Sequence, residues 1–271
     1  MKKLVMAILA FATLNMFAAD IDLWKNSTLN KIVQSGELRV GMEPGYMPFE
    51  MKDKKGNIIG YDVDMARKMA KEMGVKLTLV PTSWDGIIAG LITDKFDIIM
   101  SGMTITQQRN LKVNFSDPYI VVGQTVMMRK DLESTVKTAK DLDIPENTIV
   151  TKLGVTGEIA TKKFFKKAKI VTFETEADAA AEVLNGKAAA MVYDQPYNVL
   201  FMSDKGKDKL VHLDAPLTYE PLGWAIRKGD PDFLNWLNNF LRQSQEDKVV
   251  GFSDELYQKW LVDTSWLQRV Q

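Results

Sequence analysis

Apolar and polar residues in the first half of the chain alternate with two different spacings. Residues 62–73 carry apolar side chains three and four positions apart, which predicts a helix with one buried face. Shorter apolar runs on either side predict strands. Ser83 is a favourable N-cap for a helix that reaches Ile92. The elements predicted here are strands at 38–42, 76–80 and 96–100 and helices at 62–73 and 84–92.

The same local plan recurs later in the chain. The second set consists of strands at 148–153, 170–173 and 188–193 and helices at 158–167 and from Thr175 to just before Gly186. In both sets a helix is followed by a tight turn that carries a lysine, and then by a buried strand, as in residues 91–100 and 184–192. Strands that alternate with helices are typical of βαβ units, so the sequence predicts two similar α/β lobes.

Polar residues follow the last strand of each set. In open α/β sheets, ligands bind beyond the carboxyl ends of the strands. Residues 101–109 supply hydroxyl groups and the cation Arg109, whereas Asp194 supplies an anion directly after the strand at 188–193. A cation and an anion from two lobes match the two charges of a zwitterion.

Composition excludes several classes of site. With 46% hydrophobic and 26% charged residues the chain is typical of a folded globular protein, and its net charge of zero gives no basic nucleic-acid footprint. The absence of cysteine excludes disulfides, thiolate metal sites and a cysteine nucleophile. His212 is the only histidine, lies in a short apolar run and is interpreted as a strand residue. The sequence contains no Gly-rich phosphate loop or metal cluster, and its 15 methionines are scattered like core residues, so no cofactor is expected.

The N-terminal segment predicts an export signal. Lys2 and Lys3 precede an apolar run over residues 4–17, and Ala18 and Ala19 provide small residues for cleavage. A membrane anchor is the alternative, but the run is shorter than the roughly 20 residues that a span needs. Removal of residues 1–19 would leave a net charge of −2. Without a cysteine for lipid attachment, a periplasmic location is expected.

Short motifs in a fixed order connect these observations to a known family. They are GMEPGYMPF at 41–49, GYDVD at 60–64, WDGI at 84–87, SGMTIT at 101–106, Arg109, FSDPY at 115–119, GVT at 154–156 and YDQP at 193–196. With this set the chain resembles the periplasmic solute-binding proteins for polar amino acids, most closely the lysine/arginine/ornithine-binding type. The similarity extends over nearly all of the chain after residue 19.

The resemblance implies a two-lobed α/β periplasmic-binding-protein fold, in which each lobe is a mixed sheet flanked by helices. It implies a first lobe of residues 20–126 plus 220–271 and a second lobe of residues 127–219. Two strands, near 126–128 and 219–222, would form the hinge. The implied partners are an amino acid, bound as the hinge closes, and an ABC permease in the inner membrane. A monomer that binds no nucleic acid is expected.

The resemblance also assigns the residues that bind the α-amino and α-carboxyl groups. Arg109 would hold the carboxylate, because a guanidinium can bind both oxygens in parallel. Asp194 would hold the ammonium group, and Thr156 would reach the carboxylate with its hydroxyl and amide. Thr104, with the backbone of Ser101 and Gly102, completes the polar ring. Gly102 stands where the relatives that bind basic amino acids have a serine, which removes one hydroxyl contact.

The other end of the implied pocket decides which side chain is accepted. Tyr46 and Trp84 fall where relatives have aromatic walls, although both could be ordinary core residues, as we expect for Phe49. Glu43 falls where an acidic residue meets the distal cation, and with Arg109 and Asp194 it gives a site charge of −1 that a basic ligand would neutralise. If Glu43 is exposed, a neutral polar ligand such as glutamine fits equally well, unless Glu158 takes its place.

Two further functions stay open. A few relatives are dehydratases that act on a cyclic carboxylic acid, but they have glutamate where this chain has Asp194, which favours a binding protein over an enzyme. The second open function is the sensory module of a receptor, although no apolar span after residue 19 would connect it to a kinase across the membrane. The lysines at 162, 163, 166, 167 and 169 predict a solvated helix face, with permease docking as the alternative.

Overall fold

The computed structural model describes residues 23–246 and 252–270. The predicted export signal, residues 1–19, lies outside the described residues. The strands are β1 (Glu37–Met42), β2 (Met51–Lys52), β3 (Ile58–Ile59), β4 (Lys76–Pro81), β5 (Ile98–Ile99), β6 (Asn114–Phe115), β7 (Ile120–Val122), β8 (Gln124–Arg129), β9 (Thr148–Lys152), β10 (Lys169–Phe173), β11 (Ala190–Asp194), β12 (Leu210–Leu213), β13 (Glu220–Leu222) and β14 (Ala225–Ile226).

The helices alternate with these strands along most of the chain. They are α1 (Leu23–Asn26), α2 (Thr28–Ser35), α3 (Tyr61–Met73), α4 (Trp84–Ile92), α5 (Gln107–Asn110), α6 (Thr156–Phe164), α7 (Glu176–Leu184), α8 (Gln195–Ser203), α9 (Pro231–Glu246) and α10 (Ser253–Tyr257). Short 3₁₀ segments at Lys130–Leu132, Ala139–Leu142 and Ser265–Arg269 and a π-helical turn at Gln258–Val262 complete the set. No helix of the described part is both long and apolar enough to cross a membrane.

Two five-stranded sheets form two lobes. The first sheet has the order β4–β1–β5–β14–β6, in which β1 runs parallel to β4 and β5. The second has the order β10–β9–β11–β8–β12, in which β9, β10 and β11 are parallel and β8 and β12 are antiparallel to their neighbours. Each sheet is mixed and flanked by helices, so the predicted two-lobed α/β fold is confirmed.

A two-stranded ribbon of β7 and β13 joins the lobes. The return strand predicted near residues 219–222 coincides with β13, whereas the outgoing hinge strand predicted near residues 126–128 is wrong. Val126 and Met127 are fully buried in β8, which pairs with β11 and β12 inside the second sheet. Residues 120–129 contain both strands with only Gly123 between them, so strand pairing alone separates hinge from sheet. The lobe boundary predicted after Val126 therefore falls a few residues too late.

The helices pack on the sheets through the faces that their apolar spacing predicts. In α3 the buried side chains include Val63 and Met69, and in α9 they include Leu237 and Phe240, as expected for amphipathic helices. Burial of one such side chain stabilises the fold by about 1.5–3 kcal/mol. At the end of α6, Lys162 and its neighbouring lysines are exposed while Phe165 is buried, which agrees with a solvated face.

Candidate functional site

One cavity opens between the two lobes, at the carboxyl ends of strands from both sheets. Its lining includes all of the predicted site residues, namely Glu43, Tyr46, Trp84, Ser101, Gly102, Thr104, Arg109, Thr156 and Asp194. The lining residues that sequence reasoning missed are Glu50, Lys152, Val155 and Tyr193.

Arg109 enters the cavity from the first lobe. It lies in the short helix α5, where Thr106 accepts a hydrogen bond from its backbone N–H and fixes the turn. Its Nη1 donates to the backbone oxygen of Thr104 at 2.8 Å, and its guanidinium lies 5.1 Å from the ring centroid of Trp84. Burial lowers the pKa of Arg109 to about 10, so the side chain stays charged at neutral pH. A planar cation with further N–H groups therefore faces the cavity.

Asp194 faces the cavity from the second lobe, at the end of β11. Its Oδ2 accepts a hydrogen bond from the Tyr46 hydroxyl at 2.6 Å and its Oδ1 accepts one from Gln124 Nε2 at 2.6 Å. Burial raises the pKa of Asp194 to about 7, although the bond from Tyr46 opposes that rise. Both donors are neutral, so a cationic ligand would be a stronger partner for this buried carboxylate.

Hydroxyl groups line the space between these two charges. Thr156 is the first residue of α6, and its Oγ1 lies 3.4 Å from Thr104 Oγ1, so the two lobes meet here. Of the backbone groups predicted to contact the ligand, the N–H of Gly102 is already used, and the side chain of Ser101 is also hydrogen bonded. Ser101 Oγ donates to Glu50 Oε1 at 2.6 Å, and the Gly102 N–H donates to Asp62 Oδ2 at 3.0 Å.

A second group of residues at the cavity forms a buried ion-pair network that sequence reasoning missed. Lys152 ends β9, and its Nζ donates to Glu176 Oε2 at 2.8 Å and to a carboxylate oxygen of Glu43. Burial lowers the pKa of Lys152, but the carboxylates of Glu176 and Glu43 outweigh that effect and raise it above its usual value. Glu43, predicted to be free for the distal cation of a ligand, therefore already has a partner.

The signal for Lys152 was present in the sequence. Like Asp194, it stands at the carboxyl end of a buried strand, but the strand-end rule was applied only to the strands before residues 101 and 194. Glu158, the predicted substitute for Glu43, accepts the Gly154 N–H and pairs with Lys162, and the cavity lining does not include it. Among the described residues, no group of three or more possible ligands is arranged to hold a metal ion.

The comparisons with known proteins agree with this geometry. Residues 38–263 match the family model of bacterial extracellular solute-binding proteins, family 3. The chain belongs to this family.

Two solved structures and one curated relative are informative. A binding component of an ABC transporter from Wolinella succinogenes, complexed with lysine, is 67% identical with a TM-score of 0.83, and the match covers 86% of this chain and 99% of that one. An ancestral cationic amino acid solute-binding protein is 51% identical with a TM-score of 0.73, over 87% of this chain and 100% of that one. Cyclohexadienyl dehydratase of Pseudomonas aeruginosa is 34% identical over 252 residues, 93% of this chain and 92% of its own length.

The site of this family member combines two kinds of charge. One is a pair of opposite charges that cancel, and the other is an ion-pair network with a net negative charge. Arg109 and Asp194 carry opposite charges at the end that contains the threonines. In the ion-pair network, the carboxylates of Glu43 and Glu176 share the cation Lys152, which leaves one negative charge. The neighbouring Glu50 adds none in its neutral form, which burial favours by raising its pKa well above the usual value.

Proposed function

We propose that the protein binds a free basic L-amino acid, namely lysine, arginine or ornithine, by hinge closure. The observation that carries this proposal is that Arg109 and Asp194, from different lobes, line one cavity together with an ion-pair network that has an unbalanced carboxylate. An α-amino acid offers a carboxylate and an ammonium group on one carbon. Arg109 would bind the former and Asp194 the latter, with Thr104 and Thr156 completing the carboxylate site.

The charge of the ion-pair network favours a basic side chain. A distal ammonium or guanidinium group would neutralise the negative charge left by Glu43, Glu176 and Lys152, whereas glutamine would leave it buried without a partner. An uncompensated buried charge costs several kcal/mol, on the order of 3–5. The lysine complex of the Wolinella relative and the cationic ligand of the ancestral relative support the same ligand class.

The partner and the location follow from family membership as proposals. We infer an exported, periplasmic monomer, cleaved near Ala19, that delivers its ligand to an ABC permease in the inner membrane. The two-stranded ribbon of β7 and β13 would be the hinge, because β7 leads into β8 of the second sheet and β13 leads back to β14 of the first. Closure around the ligand would present the surfaces of both lobes to the permease.

The experiment is isothermal titration calorimetry with lysine, arginine, ornithine and glutamine on the wild type and on Arg109→Ala. We expect the three basic amino acids to bind more tightly than glutamine. The substitution should weaken lysine binding by about 2–5 kcal/mol, because it removes the partner of the ligand's α-carboxylate, which is buried in the closed site.

Arg129→Ala is the matched control, because Arg129 pairs with Asp131 on the surface of the second lobe. Its lysine affinity should equal that of the wild type. Equal affinity of Arg109→Ala and wild type would refute the assignment of the carboxylate site. Tighter binding of glutamine than of lysine would refute the basic ligand.

A dehydratase activity is the second candidate, and the Pseudomonas relative with 34% identity favours testing it. The Asp194 carboxyl, with a pKa raised to about 7 by burial, is protonated in about half of the molecules at neutral pH, as a general acid requires. We infer a binding protein rather than an enzyme, because Asp194 faces Arg109 as an ammonium receptor would. Incubation with prephenate or arogenate, followed by absorbance, should give no turnover.

A further inference from the structure

Gln124 has a buried side-chain amide. It does not line the cavity, yet it contacts two of the site residues. Its side chain is 1% exposed and its Nε2 donates to Asp194 Oδ1 at 2.6 Å and to Thr156 Oγ1 at 3.2 Å. Asp194 is the N-cap of α8 and Thr156 is the first residue of α6, and they would receive the ammonium and the carboxylate of the ligand. One amide group therefore holds both receptors of the second lobe.

The backbone of Gln124 ties this amide to the hinge. Gln124 is the first residue of β8 and follows β7 after a single glycine. Its N–H donates to Thr218 Oγ1 at 3.1 Å, and its carbonyl oxygen accepts the Leu217 N–H at 2.7 Å. Thr218 and Leu217 belong to the segment that leads into β13, so both crossing chains meet at Gln124.

The surroundings of Asp194 make the Gln124 contact electrostatically important. The groups that face Asp194 are Tyr46 from the segment after β1, Arg109 on α5, Glu220 on β13 and Gln124 on β8. Burial and the charge of Glu220 favour the neutral carboxyl, while the bonds from Tyr46 and Gln124 and the charge of Arg109 favour the ionised form. Gln124 supplies one of the two direct hydrogen bonds to this carboxylate among the described residues.

We propose that Gln124 is a positioning residue that orients Asp194 towards the ligand ammonium group and favours its ionised form. Gln124 does not touch the ligand itself. Because it acts at the α-amino end, its effect is the same for every amino acid that the site accepts. This inference rests on the proposed function only for its binding readout, since the ionisation of Asp194 also affects the unliganded protein.

The test is Gln124→Met, which keeps the length of the side chain and removes its donor. An ionised carboxylate loses more than a neutral one when a hydrogen bond is removed. We expect the apparent pKa of Asp194 to rise by about one unit, so that calorimetric affinity for L-lysine falls about fivefold more at pH 6 than at pH 8. L-Arginine should show the same ratio.

The matched control is Asn198→Met. Asn198 is a fully buried amide in the same lobe, whose Nδ2 donates to Thr125 Oγ1 and to the backbone oxygens of Thr125 and Tyr193. Its loss should lower stability without changing the pH profile of lysine binding. A lysine profile of Gln124→Met that is parallel to that of the wild type would overturn the proposal and leave the proposed function intact.

A second readout needs no ligand and decides the matter if lysine does not bind. In thermal unfolding of the unliganded proteins, Gln124→Met should lower Tm more at pH 8, where Asp194 is ionised, than at pH 5. Asn198→Met should lower Tm equally at both pH values. Equal losses for Gln124→Met at pH 5 and pH 8 would also overturn the proposal.

Discussion

At the residue scale, the absence of a side chain at Gly102 leaves room for the ring of Tyr46. The φ of Gly102 is +53°, and a Cβ built on it would lie 2.1 Å from Cε1 of Tyr46. A serine therefore cannot stand here while Tyr46 keeps its place, and the Tyr46 hydroxyl bonds to Asp194 across the cavity. Gly102 thus makes room for the hydroxyl of Tyr46 in the site.

The substitution Gly102→Ala tests this relation. We expect it to displace Tyr46, to destabilise the protein by more than the about 1–2 kcal/mol that left-handed backbone costs, and to weaken lysine binding. Gly74→Ala is the control, because Gly74 has a φ of +68° and open space around it. It should show the backbone cost alone in thermal unfolding and leave lysine affinity unchanged. Equal stability losses in the two variants would contradict the steric role of Gly102.

Asp194 couples binding to pH. Its pKa of about 7 in the folded protein is higher than in an unfolded chain, so the folded state holds the proton more tightly. The contribution of Asp194 to the free energy of unfolding is therefore greatest below about pH 4 and falls as the pH rises to 7. Asp194→Asn should remove this loss, on the order of 4 kcal/mol at pH 8, and should abolish lysine binding.

Thermal unfolding of Asp194→Asn and wild type from pH 4 to 8 measures this effect. The Tm of the variant should exceed that of the wild type at pH 8, and the difference should shrink as the pH falls. A difference that does not depend on pH would contradict the raised pKa. In the wild type, lysine affinity should fall as the pH drops below 7, because the neutral carboxyl binds an ammonium group weakly.

At the element scale, helix α7 connects a local capping rule to the ion-pair network at the cavity. Thr175 accepts the Asp178 N–H at 3.1 Å as the N-cap, as its position predicted. The helix then begins with Glu176, whose carboxylate holds Lys152. The cap thus fixes the start of the helix at the residue that the ion-pair network needs.

Thr175→Ala should lower the free energy of unfolding by about 1 kcal/mol, because it removes the cap. Ser83→Ala is the matched control, since Ser83 is the N-cap of α4 and makes no side-chain capping bond. Its cost should be close to zero. Chemical denaturation of both variants measures the two values, and equal costs would refute the difference between the caps.

At the scale of the whole molecule, contacts other than the hinge join the lobes. Trp84 Nε1 of the first lobe donates to the Gly154 oxygen of the second at 3.0 Å. The bond of Tyr46 to Asp194 and the pair of Glu43 with Lys152 cross the same gap. Residues proposed to bind the ligand thus also make direct contacts between the two lobes.

Trp84→Phe should favour more open arrangements of the two lobes, because an aromatic ring stays while the hydrogen bond between the lobes is lost. One such bond contributes about 0.5–1.5 kcal/mol, enough to change the closed population several-fold. Small-angle X-ray scattering should give a larger radius of gyration for the variant than for the wild type, and saturating lysine should make the two equal. Trp236→Phe, within α9, should behave as the wild type, and an unchanged radius for Trp84→Phe would contradict the role of this contact.

By itself, the sequence predicted most of the elements and the two α/β lobes. The nine site residues assigned from the pattern and the family resemblance all line the cavity, although four other lining residues were missed. The spacing of apolar residues determines which face of a helix is buried, and the ends of strands determine where polar groups gather. Both properties depend on residues that are close together in the sequence. Helix α3 and the strand ends before residues 101 and 194 illustrate this.

Only the tertiary structure decided how the site residues are paired. Lys152, Glu176 and Gln124 lie far from their partners in the sequence, and their contacts depend on how the two sheets face each other. The hinge strand was misplaced for the same reason, because strand partners are chosen by long-range packing and not by local pattern. Buried charges then change the chemistry of Asp194 and Lys152, since their energies depend on every neighbour that excludes water.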